Sequence, residues 1–389
     1  MILTGSRPSP VPFHVMAKPR GAICNLDCSY CYFLDKENLY PGSDFRMSSE
    51  ILERFTENYI ASQPTNHVTF SWHGGEPTLA GIEFYEHALA LQQKHRRPGM
   101  VIENTIQTNG ILIDRNWSRF FADHEFLVGL SIDGPQEIHD AYRVDKGGKP
   151  TFHRVLAGLD SLREAGVTPN FLCTLTGASE GQGGRVYKFL RDDLGAEFIQ
   201  FLPVVEKSPR GSAEPATGRS ISPGGYGDFL IEVFDLWFER DVGNVFVQMF
   251  EVALAAWVGA PRGLCVFEET CGTALAIEHT GDVYSCDHFV EPKHRLGNIV
   301  FIPLAEMVGS DKQRKFGDNK RTSLPSYCLE CDVRFACNGG CPKDRFIETP
   351  AGEPGLNYLC EGLRRFFRHI DGPMKRLAQS VTRPGPLPV

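Results

Sequence analysis

Ala22-Ile23-Cys24-Asn25-Leu26-Asp27-Cys28-Ser29-Tyr30-Cys31-Tyr32 carries three cysteines spaced C-x3-C-x2-C. Three thiolates on one short loop can hold three irons of a cubane [4Fe-4S] cluster and leave the fourth iron without a protein ligand. A closed zinc site wants a fourth ligand nearby, and the next cysteine is Cys173. From the triplet alone an open iron-sulfur site, a zinc site and reduced core thiols all stay open.

The surrounding composition narrows the field. With 389 residues and 42% hydrophobic content, the chain can bury roughly three-quarters of its unfolded surface. Its 40 basic and 48 acidic side chains give a net charge of −8, so no cationic excess exists to screen a phosphate backbone and nucleic acid is not an expected partner. No signal-peptide pattern and no run of about 18 apolar residues is present, so no membrane association and a cytoplasmic location are expected. In a reducing cytosol twelve cysteines point to metal ligation rather than disulfides. They lie at 24, 28 and 31, then 173, then 265, 271, 286, 328, 331, 337, 341 and 360.

Short β-branched and aromatic segments recur through the first half: 13–16, 68–72, 101–106, 126–131, 170–174 and 198–202. Between them lie helical periodicities, the first with Ile51, Leu52, Phe55 and Tyr59 behind a Ser48 or Ser49 cap, then 82–91, 117–121, 155–162 and 186–190. Strands alternating with helices predict parallel β/α units, an α/β fold arranged as a partial (β/α)6 barrel with its site at the C-terminal strand ends. Residues 208–225 read as a loop, 229–238 and 245–257 as helices, 274–286 as a hairpin and 364–377 as a helix; the Pro-rich tail begins at Arg383. The cysteine-rich stretch after about 320 is poor in core residues, so its fold is expected to depend on metal. The division expected is a barrel over 1–225, then a helical connector and cysteine-rich domain over 226–389.

Polar motifs stand at three strand ends: His73-Gly74-Gly75-Glu76-Pro77, Gln107-Thr108-Asn109-Gly110 and Ser131-Ile132-Asp133-Gly134-Pro135. Paired glycines allow close approach to backbone acceptors, which suits an amine, although an isolated Gly-Gly is more often a plain turn. Together with the triplet, these stretches resemble the radical S-adenosylmethionine (SAM) superfamily, in which an aromatic residue precedes the last cysteine, as Tyr30 does. The resemblance implies that SAM chelates the open iron, that Gly75 binds its amine, and that a 5'-deoxyadenosyl radical abstracts hydrogen from substrate. It further implies that Tyr30 approaches the adenine, that Ser131 and Arg143 contact the ribose or carboxylate, and that Leu202 packs on the adenine, although an apolar strand residue is ordinarily core.

The eight C-terminal cysteines suffice for two fully ligated clusters, leaving Cys173 as a buried thiol in a predicted strand. Spacing alone also permits two four-cysteine zinc sites. The pattern resembles the SPASM type of auxiliary domain, and over residues 12 to 370 the chain is similar to the anaerobic sulfatase-maturating enzymes. That resemblance implies three [4Fe-4S] clusters, with Cys24, Cys28 and Cys31 at the open one, Cys265, Cys271, Cys286 and Cys341 at a nearer auxiliary one, and Cys328, Cys331, Cys337 and Cys360 at a more distant one.

An Asp at a hairpin end is ordinarily a solvated turn residue. In the resembled family, however, the Asp after the third auxiliary cysteine is the general base, and Asp287 holds that place. Loss of hydrogen from the β-carbon of Cys or Ser leaves a radical that must shed one proton and one electron, which a carboxylate and an oxidised cluster can take. The implied activity is oxidation of a Cys or Ser in an unfolded sulfatase segment of the Cys/Ser-x-Pro-x-Arg type to Cα-formylglycine, with an electron donor such as flavodoxin or ferredoxin. A related radical enzyme forming thioether or other crosslinks in a peptide is the alternative, and a zinc-stabilised binding protein is the reading from another class. His73 stays without a role, and Arg364, Arg365 and Arg368 are expected to form a solvated helix face.

Overall fold

The computed structural model describes residues 8–382; the Pro-rich tail from Arg383 lies outside them. The six expected strands form as β1 (His14–Ala17), β2 (His67–Trp72), β3 (Val101–Thr108), β4 (Leu127–Ser131), β5 (Asn170–Leu175) and β6 (Phe198–Pro203). Helices follow each in turn: α1 (Ser49–Ser62), α2 (Ile82–His95), α3 (Arg115–Asp123), α4 (Gln136–Asp140) with α5 (Phe152–Glu164), α6 (Gly183–Lys188) and α7 (Pro223–Arg240). The first helix starts where the sequence places it, because the Ser48 hydroxyl accepts from the Ile51 N–H at 3.2 Å. The expected loop over 208–225 gives way to α7 at Pro223, whose fixed φ suits a first helical position behind the Ser222 cap.

After α7 come β7 (Phe246–Val247), α8 (Gln248–Trp257), the hairpin β8 (Ala274–Ile277) and β9 (Asp282–Tyr284), and β10 (Arg295–Asn298), which no alternation in the sequence announces. Next are α9 (Leu304–Val308), α10 (Asp311–Thr322), and the one-turn helices α11 (Ser326–Leu329) and α12 (Arg334–Cys337). The short ladder of β11 (Ile347–Glu348) and β12 (Pro354–Leu356) precedes α13 (Cys360–His369) and α14 (Asp371–Thr382). Among the described residues no helix is long and apolar enough to cross a membrane.

The chain forms two compact units. The first takes residues up to 131, 142–169 and 272–318. Its strands run in the order β10-β9-β8-β1-β2-β3-β4, with the pairings from β8 to β4 parallel and the β8-β9-β10 meander antiparallel. The hairpin is therefore an extension of the parallel sheet: β8 lies beside β1 with His14 opposite Ala274 and Ala17 opposite Ile277. Val15, Leu275, Ile277 and Val283 share one buried cluster with Phe55, Phe70, Trp72 and Tyr85. Polar side chains set against it are paired at one point, where Trp72 Nε1 donates to Asn104 Oδ1 at 2.9 Å and Gln92 pairs with the same amide.

The second unit takes 132–141, 170–271 and the chain from 319 on. It holds the parallel strands β5, β6 and β7 and a close helix crossing. A Cβ on Gly362 of α13 would stand 2.0 Å from the Pro223 carbonyl oxygen at the start of α7, and one on Gly227 would stand 2.7 Å from the Gly362 Cα. These glycines let the two backbones touch, and that contact fixes the start of α13, where Cys360 sits. Gly362→Ala is accordingly expected to cost about 1–3 kcal/mol through overpacking, read as a lower urea midpoint; an unchanged midpoint would show that the crossing relaxes freely.

Candidate active site and cluster-binding cysteines

The triplet loop is held by backbone. Asp27 N–H donates to Val144 O at 2.8 Å, Ser29 N–H to Tyr142 O at 3.1 Å, and Cys31 N–H to Cys28 O at 2.9 Å. The stretch 142–145 thus runs alongside the loop and carries Arg143 with it, whose guanidinium lies 5.7 Å from the centre of the Tyr30 ring. On the other side the paired glycines press against the loop. Gly74 sits at φ +117°, Gly75 N–H donates to Gly21 O at 2.8 Å, and a Cβ on Gly75 would come 2.1 Å from Ile23 O and 2.4 Å from Ala22 O. Glycine at 75 is demanded by this contact, whatever else its backbone binds.

Glu76 ties two strand ends together. Its buried carboxylate accepts from Thr78 N–H (3.0 Å), Thr78 Oγ1 (2.6 Å), Thr108 Oγ1 (2.8 Å) and Asn109 N–H (2.9 Å). Asn109 Nδ2 then donates to Asn25 Oδ1 at 2.8 Å and points at the Cys24 sulfur at 3.6 Å. Ser131 ends β4, buried, and accepts from Gln107 Nε2 at 2.9 Å. The polar motifs of the β2 and β3 ends are therefore joined directly to the triplet.

The thiols fit a metal cluster. Burial, and then the Glu76 carboxylate, push the Cys24 thiol up to about 11, with Cys28 adding to the shift. Burial likewise raises Cys31, which feels Cys24 as well. Thiols raised in this way, as Cys24 and Cys31 are, make poor thiolates without a cationic partner, and iron is such a partner. Among the described residues no three His, Cys, Asp or Glu side chains converge on a position for a single ion; a cubane does not ask for that, since each cysteine takes a different iron.

Asp287 follows Cys286 after β9. Pairing of β8 with β1 brings it to Lys18, the residue just past the end of β1. Lys18 is fully buried, with Nζ 2.5 Å from Asp287 Oδ1, 3.3 Å from Glu278 Oε1 and 4.5 Å from the centre of the Phe33 ring. Tyr32, the neighbour of Cys31, donates its hydroxyl to Asp287 Oδ2. Burial opposes ionisation of Asp287, but Lys18, then His73 and His288, outweigh it and hold the carboxyl well below the usual carboxylate range. Burial also works against the Lys18 ammonium, and Asp287 and Glu278 more than compensate, so its pKa is raised. The Asp287 contribution to stability is present above about pH 4 and is lost as pH falls through its depressed value. That of Lys18 is present below about pH 10 and is lost as pH rises through its raised value, leaving the pair at full strength between. His73 is half-buried, accepts from Gly74 N–H at 2.8 Å through Nδ1, and has its pKa lowered by desolvation.

Lys18, Tyr32 and Glu278 are the site residues that sequence reading left without a role. The available signal was a lysine and a glutamate closing otherwise apolar strands, a position where a long charged side chain needs a partner.

In the second unit, Cys328, Cys331, Cys337 and Cys360 line one small cavity together with Tyr327, Asn357 and Arg364. Burial raises Cys337 to about 11 and Cys360 to about 12, with Cys328 and Cys331 adding to both shifts and Cys337 to that of Cys360. Cys265, Cys271 and Cys341 form a second neighbourhood, in which burial first and then the neighbouring charges raise Cys271 to about 11 and Cys341 to about 12. No disulfide forms among the described cysteines. Cys173 is buried in β5, as expected of a core thiol, whereas Leu202 near the end of β6 is 41% exposed and is not core. Arg368 pairs with Asp332 at 2.8 Å at the surface, while Arg364 reaches inward to the Tyr327 hydroxyl at 2.7 Å. A more open cleft of the second unit, lined by Pro135, Arg185, Lys188 and Glu232, contains none of these residues.

Residues 19–190 match the model of the radical SAM superfamily, and residues 265–332 match that of the SPASM iron-sulfur cluster-binding domain. Fold and site therefore define a radical SAM oxidoreductase with an auxiliary iron-sulfur domain. The chain is 45% identical over 383 residues to a serine-type anaerobic sulfatase-maturating enzyme of Bacteroides thetaiotaomicron, covering 95% of this chain and 92% of that one. It is 33% identical over 373 residues to a cysteine-type enzyme of Clostridium perfringens, covering 95% and 99%. A solved structure described as native anSMEcpe with bound AdoMet and Cp18Cys peptide superposes with a TM-score of 0.84 at 32% identity, covering 95% of this chain and all of that one. The chain belongs to the anaerobic sulfatase-maturating enzyme family.

Removing the buried cation tests the centre of this site. Lys18→Met leaves two buried carboxylates uncompensated and is expected to cost about 3–5 kcal/mol in denaturant unfolding. Adding Asp287→Asn should recover part of that loss, and a double variant as unstable as the sum of the singles would show that the two residues do not act as a pair.

Proposed function

We propose that this chain oxidises a Ser or Cys residue in an unfolded sulfatase segment, of the Ser/Cys-x-Pro-x-Arg type, to Cα-formylglycine. The observation that carries the reading is the position of Asp287: directly after Cys286, ionised by Lys18, and hydrogen-bonded to Tyr32 beside the triplet. Membership of the family supports it, as does the 45% identity to a serine-type enzyme. Serine is therefore the residue to be tried first.

When bound, three [4Fe-4S] clusters and SAM supply a 5'-deoxyadenosyl radical for hydrogen abstraction and a sink for the second electron. Cys24, Cys28 and Cys31 hold the open cluster; Cys265, Cys271, Cys286 and Cys341 hold one auxiliary cluster, and Cys328, Cys331, Cys337 and Cys360 the other. With SAM bound, Gly75 would offer its backbone to the methionyl amine, Tyr30 and Leu202 would lie by the adenine, and Ser131 and Arg143 would bind the ribose or carboxylate. Asp287 takes the proton. A carbon radical beside O–H or S–H makes that hydrogen far more acidic than in the parent alcohol or thiol, so a carboxylate of depressed pKa is a sufficient base. Both of its oxygens already accept a contact, but a carboxylate has about four acceptor positions, so a substrate hydroxyl can join them. Lys18 keeps the carboxyl ionised within the protein, which burial alone would prevent.

The functional division follows the same reading, with the barrel over 1–225 and the connector and auxiliary domain over 226–389. A reducing compartment, the cytoplasm, and a donor of the flavodoxin or ferredoxin class complete it.

The test is anaerobic incubation of the reconstituted protein with SAM, a reductant, and peptides bearing either motif. The expected products are 5'-deoxyadenosine and a peptide aldehyde. Cofactor cleavage without aldehyde from either peptide would sink the sulfatase assignment and leave a crosslinking peptide enzyme in its place. Asp287→Asn should lower aldehyde formation about 100-fold or more while sparing 5'-deoxyadenosine release; equal losses of both products would remove Asp287 as the base.

A further inference from the structure

The second unit carries two inward-facing cations that the chemistry above does not use. Lys320, in α10, is fully buried, and its Nζ donates to the carbonyl oxygens of Cys265 (2.7 Å), Val266 (2.9 Å) and Glu268. Arg345 donates to the carbonyls of Gly339 (2.9 Å), Lys320 (2.6 Å), Asn338 (2.9 Å) and Gly340 (3.2 Å). Lys320 thus grips the backbone of one cysteine, and Arg345 clamps the turn joining Cys337 to Cys341. Among the described residues neither forms an ion pair with a carboxylate.

Neutral amides could hold carbonyl groups equally well, so hydrogen bonding alone does not account for a fully buried ammonium beside a half-buried guanidinium. Sulfur does. Burial and mutual repulsion weaken the Lys320 ammonium, whereas Cys271, Cys265 and Cys341 support it. Burial weakens Arg345, whereas Cys328, Cys337, Cys341 and Cys271 support it, so this guanidinium stands in the field of both cysteine groups. A [4Fe-4S] centre with four thiolates is an anion, and it becomes more negative when it takes an electron. A fixed cation nearby favours the reduced form, since net charge and hydrogen bonding around the sulfurs set the potential.

We propose that Lys320 and Arg345 form a cationic seam shared by the two auxiliary cysteine groups, raising the reduction potentials of the clusters held there so that they accept the substrate's electron. This rests on the reading that the eight C-terminal cysteines carry two clusters. In the balance of the reaction, one hydrogen atom leaves the β-carbon, one proton goes to Asp287, and one electron reduces an auxiliary cluster. A one-electron acceptor of the ferredoxin or flavodoxin class then reoxidises it. Lys320 and Arg345 touch neither substrate nor cofactor in this account; they act through the sulfur ligands.

The experiment uses the full chain with Cys24, Cys28 and Cys31 replaced by Ala, so that only auxiliary clusters titrate, followed by EPR during a redox titration. Neutral variants Lys320→Gln and Arg345→Gln should each lower the reduced-to-oxidised ratio at fixed potential about tenfold, or about 59 mV for one electron. Lys320→Arg and Arg345→Lys, which keep the charge, should stay close to the parent. Unchanged potentials in iron-replete neutral variants overturn the proposal, and so do equal falls in the charge-keeping pair. Loss of auxiliary iron from both neutral variants also overturns it, by assigning the pair to holding loops. A parent chain that binds no auxiliary iron would sink the functional reading itself and take this proposal with it.

Discussion

Four residues of parallel pairing, His14–Ala17 against Ala274–Ile277, decide where the buried charges of the first unit meet. The pairing sets Ala17 opposite Ile277, so the next residues on the two strands, Lys18 and Glu278, emerge together. The antiparallel return through β9 then brings Asp287 back to the same lysine. A slip of one residue would turn Lys18 toward the opposite face of the sheet and leave Asp287 without its cation. The buried apolar positions Val15, Leu275 and Ile277 on these strands hold the register against such a slip.

Around that pairing the first unit keeps charge where water is scarce. Lys18 compensates two carboxylates, and Glu76 collects four donors from two strand ends. The sulfurs are treated in the opposite way: burial raises Cys24 and Cys31, so a cationic iron is needed to make them ligands. Acid and thiol in one unit thus have opposite electrostatic settings, Asp287 ionised by the protein and the thiols left for the cofactor to ionise.

Much of this was legible in the sequence, and the remainder was hidden for physical reasons. The six strands and their helices follow from local periodicity, while the triplet spacing left iron-sulfur, zinc and free-thiol readings open until the strand-end motifs and the eight C-terminal cysteines were set beside it. Asp287 was legible only by resemblance, because a turn aspartate looks the same whether solvated or paired. Its partner Lys18 was hidden, since parallel pairing between segments so distant along the chain leaves no local trace. β10 escaped for a similar reason, as Arg295–Asn298 has little apolar alternation and is a strand because β9 offers it an edge. Leu202 was open to two readings, adenine contact by resemblance and core by its apolar character; side-chain alternation along β6 turns it outward from the buried Ile199 and Phe201, which removes the core reading.

The backbone contacts at the triplet bear on how such a protein is assembled. The loop is shaped by the 142–145 segment and by the Gly75 contact, none of which involves a sulfur atom. The course of the loop is therefore set by main-chain contacts that do not need iron. The turns between Cys337 and Cys341 are held differently, by Arg345 and Asn357 donating to the carbonyls of Gly339, Gly340 and Cys341. Cluster delivery thus meets two kinds of recipient in one polypeptide, a loop shaped by main chain and a turn gripped by side chains.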